Sequence, residues 1–165
     1  MAAKILIIDD DVKICALLKR YLTENGFPVI YADSGSEGLL LIRESMPDIV
    51  LVDAEMPGLD GYAVCRVIKK EAATRHLPVN IMSGSRQADK DVVSGFEGGA
   101  DDYVMKPFSL QVVMVRIRAL LKRCAAANPE KCRLKKNGIE IDASGRTVKV
   151  DGTLVTLTRK EFDLL

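Results

Sequence analysis

The sequence predicts an α/β fold: a doubly wound, five-stranded parallel sheet of the (βα)5 kind, followed by a short antiparallel β segment. Two observations point to the first part. Short, continuous apolar runs recur along the chain, as strands buried on both faces require. Amphipathic segments of helical period separate them, and this alternation implies parallel strands covered by helices on both sides. A third observation points to the second part: beyond Arg123 the apolar pattern changes from helical period to strict alternation.

The elements follow in order. "KILIIDDDV" opens with the apolar run Ile5 to Ile8 and then meets three aspartates. Ile14, Leu17, Leu18, Tyr21 and Leu22 mark one face of a helix that Asn25-Gly26 stops. "PVIYA" reads as a second strand and "SEGLLLIRES" as a second helix. "DIVLVD" is a third strand, again closed by an aspartate, Asp53, and "YAVCRVIKK" is its helix. "PVNIMS" is a fourth strand with an amide, Asn80, among apolar residues. A helix around Asp89–Glu97, a strand "DYVM" and a long helix from Leu110 complete the pattern. Ser109 is a suitable N-cap for that last helix, although Val112 replaces the Glu of a capping box. Its core stripe is Leu110, Val113, Met114, Ile117, Leu120 and Leu121.

"CAAANPEKCR" then reads as a linker, with Asn128-Pro129 breaking any helix. "GIEID", "TVKV" and "TLVTLT" alternate apolar and polar residues, and Asp151-Gly152 is a two-residue hairpin signal. Thr158 to Glu161 is a capping box opening a further helix. The organisation expected is therefore 1–123, a linker over 124–133, and a β segment with the start of a helix over 134–165.

Bulk properties narrow the function. The 165 residues are 48% hydrophobic and 28% charged, a globular composition. A net charge of +1 gives no general electrostatic case for nucleic acid or membrane. No apolar run approaches the roughly 20 residues of a membrane span, and aspartates interrupt the N-terminal run too early for a signal peptide. A cytoplasmic protein is expected. Cys15, Cys65, Cys124 and Cys132 match no zinc spacing and read as reduced, structural thiols. His76, the only histidine, falls in a loop and reads as surface.

Ligands of doubly wound sheets bind beyond the carboxyl ends of the strands. Asp9, Asp10, Asp53, Ser83 and Lys106 all fall there. Crowded carboxylates need a cation or a proton. Oxygen donors without Cys or His suit Mg²⁺, which favours a phosphate oxygen as co-ligand. A hydroxyl and an ammonium opposite would complete an anion clamp, and a carboxylate can attack phosphorus. The chemistry indicated is Mg²⁺-assisted phosphoryl transfer onto an aspartate. Asp11, at the edge of the first helix, reads instead as a cap.

"ILIIDDD", "IVLVDAEMPGLDGY", "PVNIMSG" and "GADDYVMKPF" resemble the receiver domain of two-component response regulators, over Lys4 to about Arg123. The resemblance implies a flavodoxin-like fold and a sensor histidine kinase as phosphoryl donor. It implies Asp53 as phospho-acceptor and Mg²⁺ bound by Asp10, Asp53 and the backbone carbonyl of Glu55, with Asp9 acting through a water. Ser83 and Lys106 would contact phosphoryl oxygens, and Tyr103 would be the switch aromatic that turns inward when Ser83 moves. Ser83 stands where Thr is commoner, Asn80 where the family is apolar. Glu55 is expected to influence attack of water on the phospho-aspartate.

The tail resembles the beginning of the OmpR/PhoB subfamily's winged-helix DNA-binding domain, without the recognition helix and C-terminal wing. The subfamily implies a homodimer through the fourth helix, fifth strand and fifth helix. The residues indicated here are Asp101, Asp102, Arg116 and Arg123, with Val92 facing Val112 in an apolar contact. Promoter DNA is then a partner of a full-length parent, and the sequence as written should not bind it specifically. No enzymatic turnover is expected beyond phosphorylation and dephosphorylation of Asp53. Two other readings stand beside this one: a phosphorylation-independent adaptor with a receiver fold, and an aspartyl-phosphate phosphatase of the haloacid-dehalogenase kind.

Overall fold

The computed structural model describes residues 2–84, 99–127, 133–136, 139–142, 147–150 and 153–155. The chain divides into two compact units, Met1–Leu121 and Lys122–Leu165.

In the first unit, β1 (Ile5–Ile8), β2 (Val29–Ala32), β3 (Ile49–Asp53), β4 (Val79–Ser83) and β5 (Asp102–Met105) form a parallel sheet in the order β2-β1-β3-β4-β5. The helices are α1 (Val12–Glu24), α2 (Gly35–Ser45), α3 (Gly61–Lys70) and α4 (Leu110–Ala127), the last helix of the sequence pattern. The helix expected around Asp89–Glu97, with Val92, lies outside the described residues.

Two apolar layers hold the sheet. Leu6, Ile8, Val50, Val52 and Ile81 face α2 and α3, where Ile42, Val64, Cys65 and Ile68 meet them. Ile5, Ile7, Ile49, Leu51 and Met82 face α1 and α4, where Leu18, Leu22, Val113, Met114 and Ile117 meet them. Burying each such side chain contributes about 1.5–3 kcal/mol. This is why the strand sequences are continuous apolar runs rather than alternating ones. On α1, Leu17 lies outside this layer: it is 42% exposed, and Cys15 takes the inward position.

Local signals set the helix ends. The Asp11 carboxylate accepts hydrogen bonds from the Lys13 and Ile14 amides, as the capping reading of that residue requires. Asp60 caps α3 through the Ala63 amide, and Ser109 caps α4 through the Val112 amide. Gly26, with φ +87°, turns the chain away from α1 into β2. Helix α4 continues through Cys124 to Ala127, into the stretch read as linker. Its three alanines have the highest helix propensity of any residue, which outweighs the change in composition.

In the second unit, β6 (Arg133–Lys136), β7 (Ile139–Asp142), β8 (Thr147–Val150) and β9 (Thr153–Val155) pair antiparallel in that order. The sequence singled out no strand at Arg133–Lys136, because a mostly basic run of four shows no alternation. The 134–165 strands thus find partners within their own chain. The Asp151-Gly152 turn and the Thr158–Glu161 capping box lie outside the described residues.

Candidate functional site

The site sits where the strand order reverses, at the carboxyl ends of β1 and β3, the usual place for ligands in such sheets. Register aligns these ends: Ile8 is opposite Val52, Asp53 opposite Met82, and Ser83 opposite Met105. Backbone bonds continue past the strands, from Ala54 N–H to the Met82 carbonyl and from Lys106 N–H to the Ser83 carbonyl. Gly61 is part of the same construction. A Cβ there would collide with the Asp53 carbonyl oxygen, so only glycine lets α3 start this close to β3.

Side chains from four segments converge. The Lys106 ammonium lies 2.9 Å from Asp9 Oδ2 and 2.9 Å from Asp53 Oδ1. Asp9 Oδ1 accepts a hydrogen bond from the Asp11 amide, so this fully buried carboxylate is fixed at both oxygens. Asp9, Asp10 and Asp53 bring carboxylate oxygens within 4.8 Å of one another, with Asp10 exposed and the other two buried. Ser83 is buried at the end of β4, and Glu55 is exposed two residues past Asp53.

Charge in this pocket is unbalanced, because three carboxylates face one ammonium. Burial raises the pKa of Asp53 above its ordinary value, opposed by its hydrogen bond and attraction to Lys106. Burial alone would lower Lys106. Its hydrogen bonds to Asp9 and Asp53 outweigh that and raise it. Cys15, which donates from Sγ to the Asp9 carbonyl, is pushed up to about 11 by burial and the nearby aspartates. It is a packed thiol, not a nucleophile. An all-oxygen donor set with surplus negative charge and one solvent-facing member fits a hard divalent cation that keeps water ligands.

The domain belongs to a known family. The sequence profile described as "Response regulator receiver domain" matches residues 5–118. The chain belongs to the response regulators. It is 39% identical to transcriptional regulatory protein ResD of Bacillus subtilis, over 98% of this chain and 68% of ResD. It is also 39% identical to PrrA of Mycobacterium tuberculosis, over 98% of this chain and 69% of PrrA. Among solved structures, the Francisella response regulator 1452 receiver domain aligns with a TM-score of 0.68 and 35% identity, covering 73% of this chain and 98% of that one. DrrB, described as a Thermotoga maritima OmpR/PhoB homolog, aligns over 99% of this chain and 70% of its own, at 32% identity and a TM-score of 0.65. This response regulator is therefore of the OmpR/PhoB type, with the flavodoxin-like receiver fold its sequence predicts.

The remaining sequence-predicted residues lie away from the carboxylates. Tyr103 is buried against the α2–α3 layer, already inward, and its hydroxyl has no hydrogen-bond partner among the described residues. The Asp102 carboxylate pairs with Arg116 at 2.7 Å within the chain. Asp101 is engaged within the chain too: its Oδ2 meets Lys69 at 2.6 Å and accepts from the Val79 amide at 2.8 Å. Val112 and Val115 are exposed on α4, as is Arg123.

Sequence reasoning missed Lys69. Its ammonium also donates to the Leu77 carbonyl, tying α3 to the entry of β4. Lys69 and Lys70 are adjacent in the last turn of α3, and nothing in sequence distinguishes the one that folds inward.

Proposed function

We propose that this receiver accepts a phosphoryl group from a sensor histidine kinase on Asp53 and thereby regulates transcription. The observation that carries the reading is the Lys106 ammonium held between Asp9 and Asp53 beside the open carboxylate of Asp10. An Asp53 carboxylate oxygen attacks phosphorus, the P–N bond to the donor imidazole breaks, and an acyl phosphate forms. Asp10, Asp53 and the Glu55 carbonyl would hold Mg²⁺, with Asp9 acting through a water. When bound, the ion neutralises charge on the acceptor and on the incoming phosphoryl oxygens. Lys106 and Ser83 contribute an ammonium and a hydroxyl to those same oxygens. Burial of Asp53 keeps its nucleophilic oxygen poorly solvated, and its contact with Lys106 favours the ionised form against that burial.

The added group brings about two negative charges and three acceptor oxygens, which draw Ser83 and Lys106 inward. Tyr103 follows Ser83, and the population shifts toward a homodimer built from the helix expected around Asp89–Glu97, β5 and α4. Asp102, Arg116 and Arg123 would supply its polar contacts and Val112 an apolar one, against Val92. Because Asp101 is committed to Lys69, we assign it a supporting role in that face.

Residues 1–123 are read as the receiver, 124–133 as a linker and 134–165 as the opening of an effector domain, with the β6–β9 sheet in support. Promoter DNA is assigned to a longer parent. A cytoplasmic location accords with the described helices, none of which is long and apolar enough to cross a membrane. Acetyl phosphate with Mg²⁺ tests the central step. Mass spectrometry should show one added phosphoryl group that hydroxylamine removes and Asp53→Asn abolishes. Absence of labelling in the parent protein would overturn phospho-acceptance and favour the adaptor reading.

A further inference from the structure

Asn80 breaks the apolar pattern of β4. Its side chain is fully buried, and neither its Oδ1 nor its Nδ2 has a hydrogen-bond partner among the described residues. A buried amide left unpaired is costly, and a β-branched apolar residue would fit this sheet position better. The alternation of β4 shows where the amide points. Val79 and Ile81 join the α2–α3 layer, while Met82 joins the α1–α4 layer, so Asn80 shares the α1–α4 side with Met82.

On that side Asn80 has a polar neighbour. Its register partner on β5 is Asp102, and Val104, two residues on, confirms the shared face. Adjacent strands run about 4.8 Å apart, which puts a short amide within reach of the next strand's carboxylate after a rotamer change. Asp102 is occupied by another group: its Oδ1 accepts from Arg116 Nη1 at 2.7 Å and from the Tyr103 amide at 2.9 Å. The Asp102 side chain is 16% exposed and that of Arg116 is 40% exposed. Arg116 Nε is itself buried without a partner among the described residues, so the guanidinium is imperfectly satisfied where it lies.

We infer that Asn80 is a positioning residue for this pair: a reserve hydrogen-bond donor to Asp102 that allows Arg116 to leave for an acidic group outside its own protomer. When Arg116 swings toward solvent, the Asp102 carboxylate would be left partly buried without its cation, a costly state. The Asn80 amide, unsatisfied until then, donates through Nδ2 to Asp102 and offsets that cost. The amide gains a partner as the guanidinium leaves, which lowers the cost of opening the pair. The destination of Arg116 rests on the dimer reading above, but the exchange inside the protomer does not.

A double-mutant cycle on the full chain tests it. Asn80→Val removes the amide, and Arg116→Met removes the guanidinium while keeping most of the apolar stem. In the parent background Asn80→Val should lower the unfolding equilibrium constant about tenfold, since an unpaired buried amide is lost. In the Arg116→Met background the same change should raise it about tenfold, because the side-chain donor that replaces the guanidinium at Asp102 is lost. Asn80→Thr, which has the shape of Val with a hydroxyl donor, should recover part of that loss only in the Arg116→Met background. The side-chain amide protons of Asn80 should also gain protection from exchange when Arg116 is replaced. If Asn80→Val has the same effect in both backgrounds, Asn80 is only a packing defect and the inference is overturned. Beryllofluoride-driven dimerisation of the parent is measured alongside. Its absence would count against the dimer reading alone, since the cycle is scored on the monomer.

Discussion

Replacing Lys106 by Met gives the sharpest test of how the acidic pocket is held together. The ammonium lies 2.9 Å from carboxylate oxygens of both Asp9 and Asp53, whose side chains are 0% and 8% exposed. Removing one member of a buried ion pair costs about 3–5 kcal/mol, because the other is left as an uncompensated charge. Here two carboxylates lose their cation, which argues for a large effect. Against it, Lys106 is itself 19% exposed and Asp10 opens the pocket to water, so screening places the expected loss near 3 kcal/mol. Such a loss should lower the thermal midpoint by roughly 10 °C in a unit of this size. The assay is urea and thermal unfolding at neutral pH with a chelator present, repeated with millimolar Mg²⁺. The cation should restore much of the loss, since it binds the folded cluster and not the unfolded chain. Lowering the pH should also help the variant. Asp53 already has a raised folded pKa, so its protonation contributes stability that is fully present below 3.8 and is lost as pH rises through the raised value. Without Lys106 that window moves to higher pH and the gain on acidification grows. Equal stability of parent and variant in chelator, or indifference of the variant to both Mg²⁺ and acid, would refute this account.

Three other outcomes follow from the same geometry. Lys106 has a raised folded pKa, so its contribution persists below the ordinary 10.5 and is lost only as pH rises through the raised value. Alkaline unfolding should show that late loss in the parent and not in Lys106→Met. Asp11→Ala removes the acceptor for two α1 amides and should cost about 1 kcal/mol in urea unfolding, with acetyl phosphate labelling of Asp53 retained. Gly61→Ala drives a methyl group into the Asp53 carbonyl oxygen. It should destabilise the fold by about 1–3 kcal/mol and slow labelling of Asp53, and a variant that labels at the parent rate would show that this approach does not position the acceptor.

Much of the receiver was legible because burial and chemistry meet at the same places in sequence. A strand covered on both faces disfavours polar residues until it leaves the sheet, Asn80 being the exception, so Ile8-Asp9, Val52-Asp53 and Met82-Ser83 each mark a strand end and a site position together. Caps were legible for a similar reason: Asp11 and Ser109 act on amides within three residues. Pairing across the fold was not. The subfamily resemblance marks Asp101 as a dimer contact, but the fold also presents it to Lys69 and the Val79 amide, and no periodicity encodes that meeting. Leu17 fits the helical stripe of α1, but it is 42% exposed and Cys15, at 3%, fills the inward position instead. Sequence showed that Asn80 was out of place; only the register with Asp102 gives its polar atoms a counterpart.

These pairings bear on how a signal could cross the domain. Lys106 bridges Asp9 and Asp53, so under the proposed phospho-acceptance an incoming phosphoryl group would enter a site whose ammonium is already shared. Its oxygens would compete for that ammonium, and whatever share they took would loosen the grip on Asp9 or Asp53. The Lys106 backbone is meanwhile bonded to the Ser83 carbonyl, which links any movement of the lysine to the end of β4. Three residues back along that strand is Asn80, opposite Asp102, which in turn holds Arg116 of α4. The charge balance at the carboxyl ends and the polar pair on the β5–α4 face are thus joined by one short strand. A shift of β4 too small to disturb its packing would alter both at once, because hydrogen bonds and ion pairs lose their geometry over distances that apolar contacts tolerate.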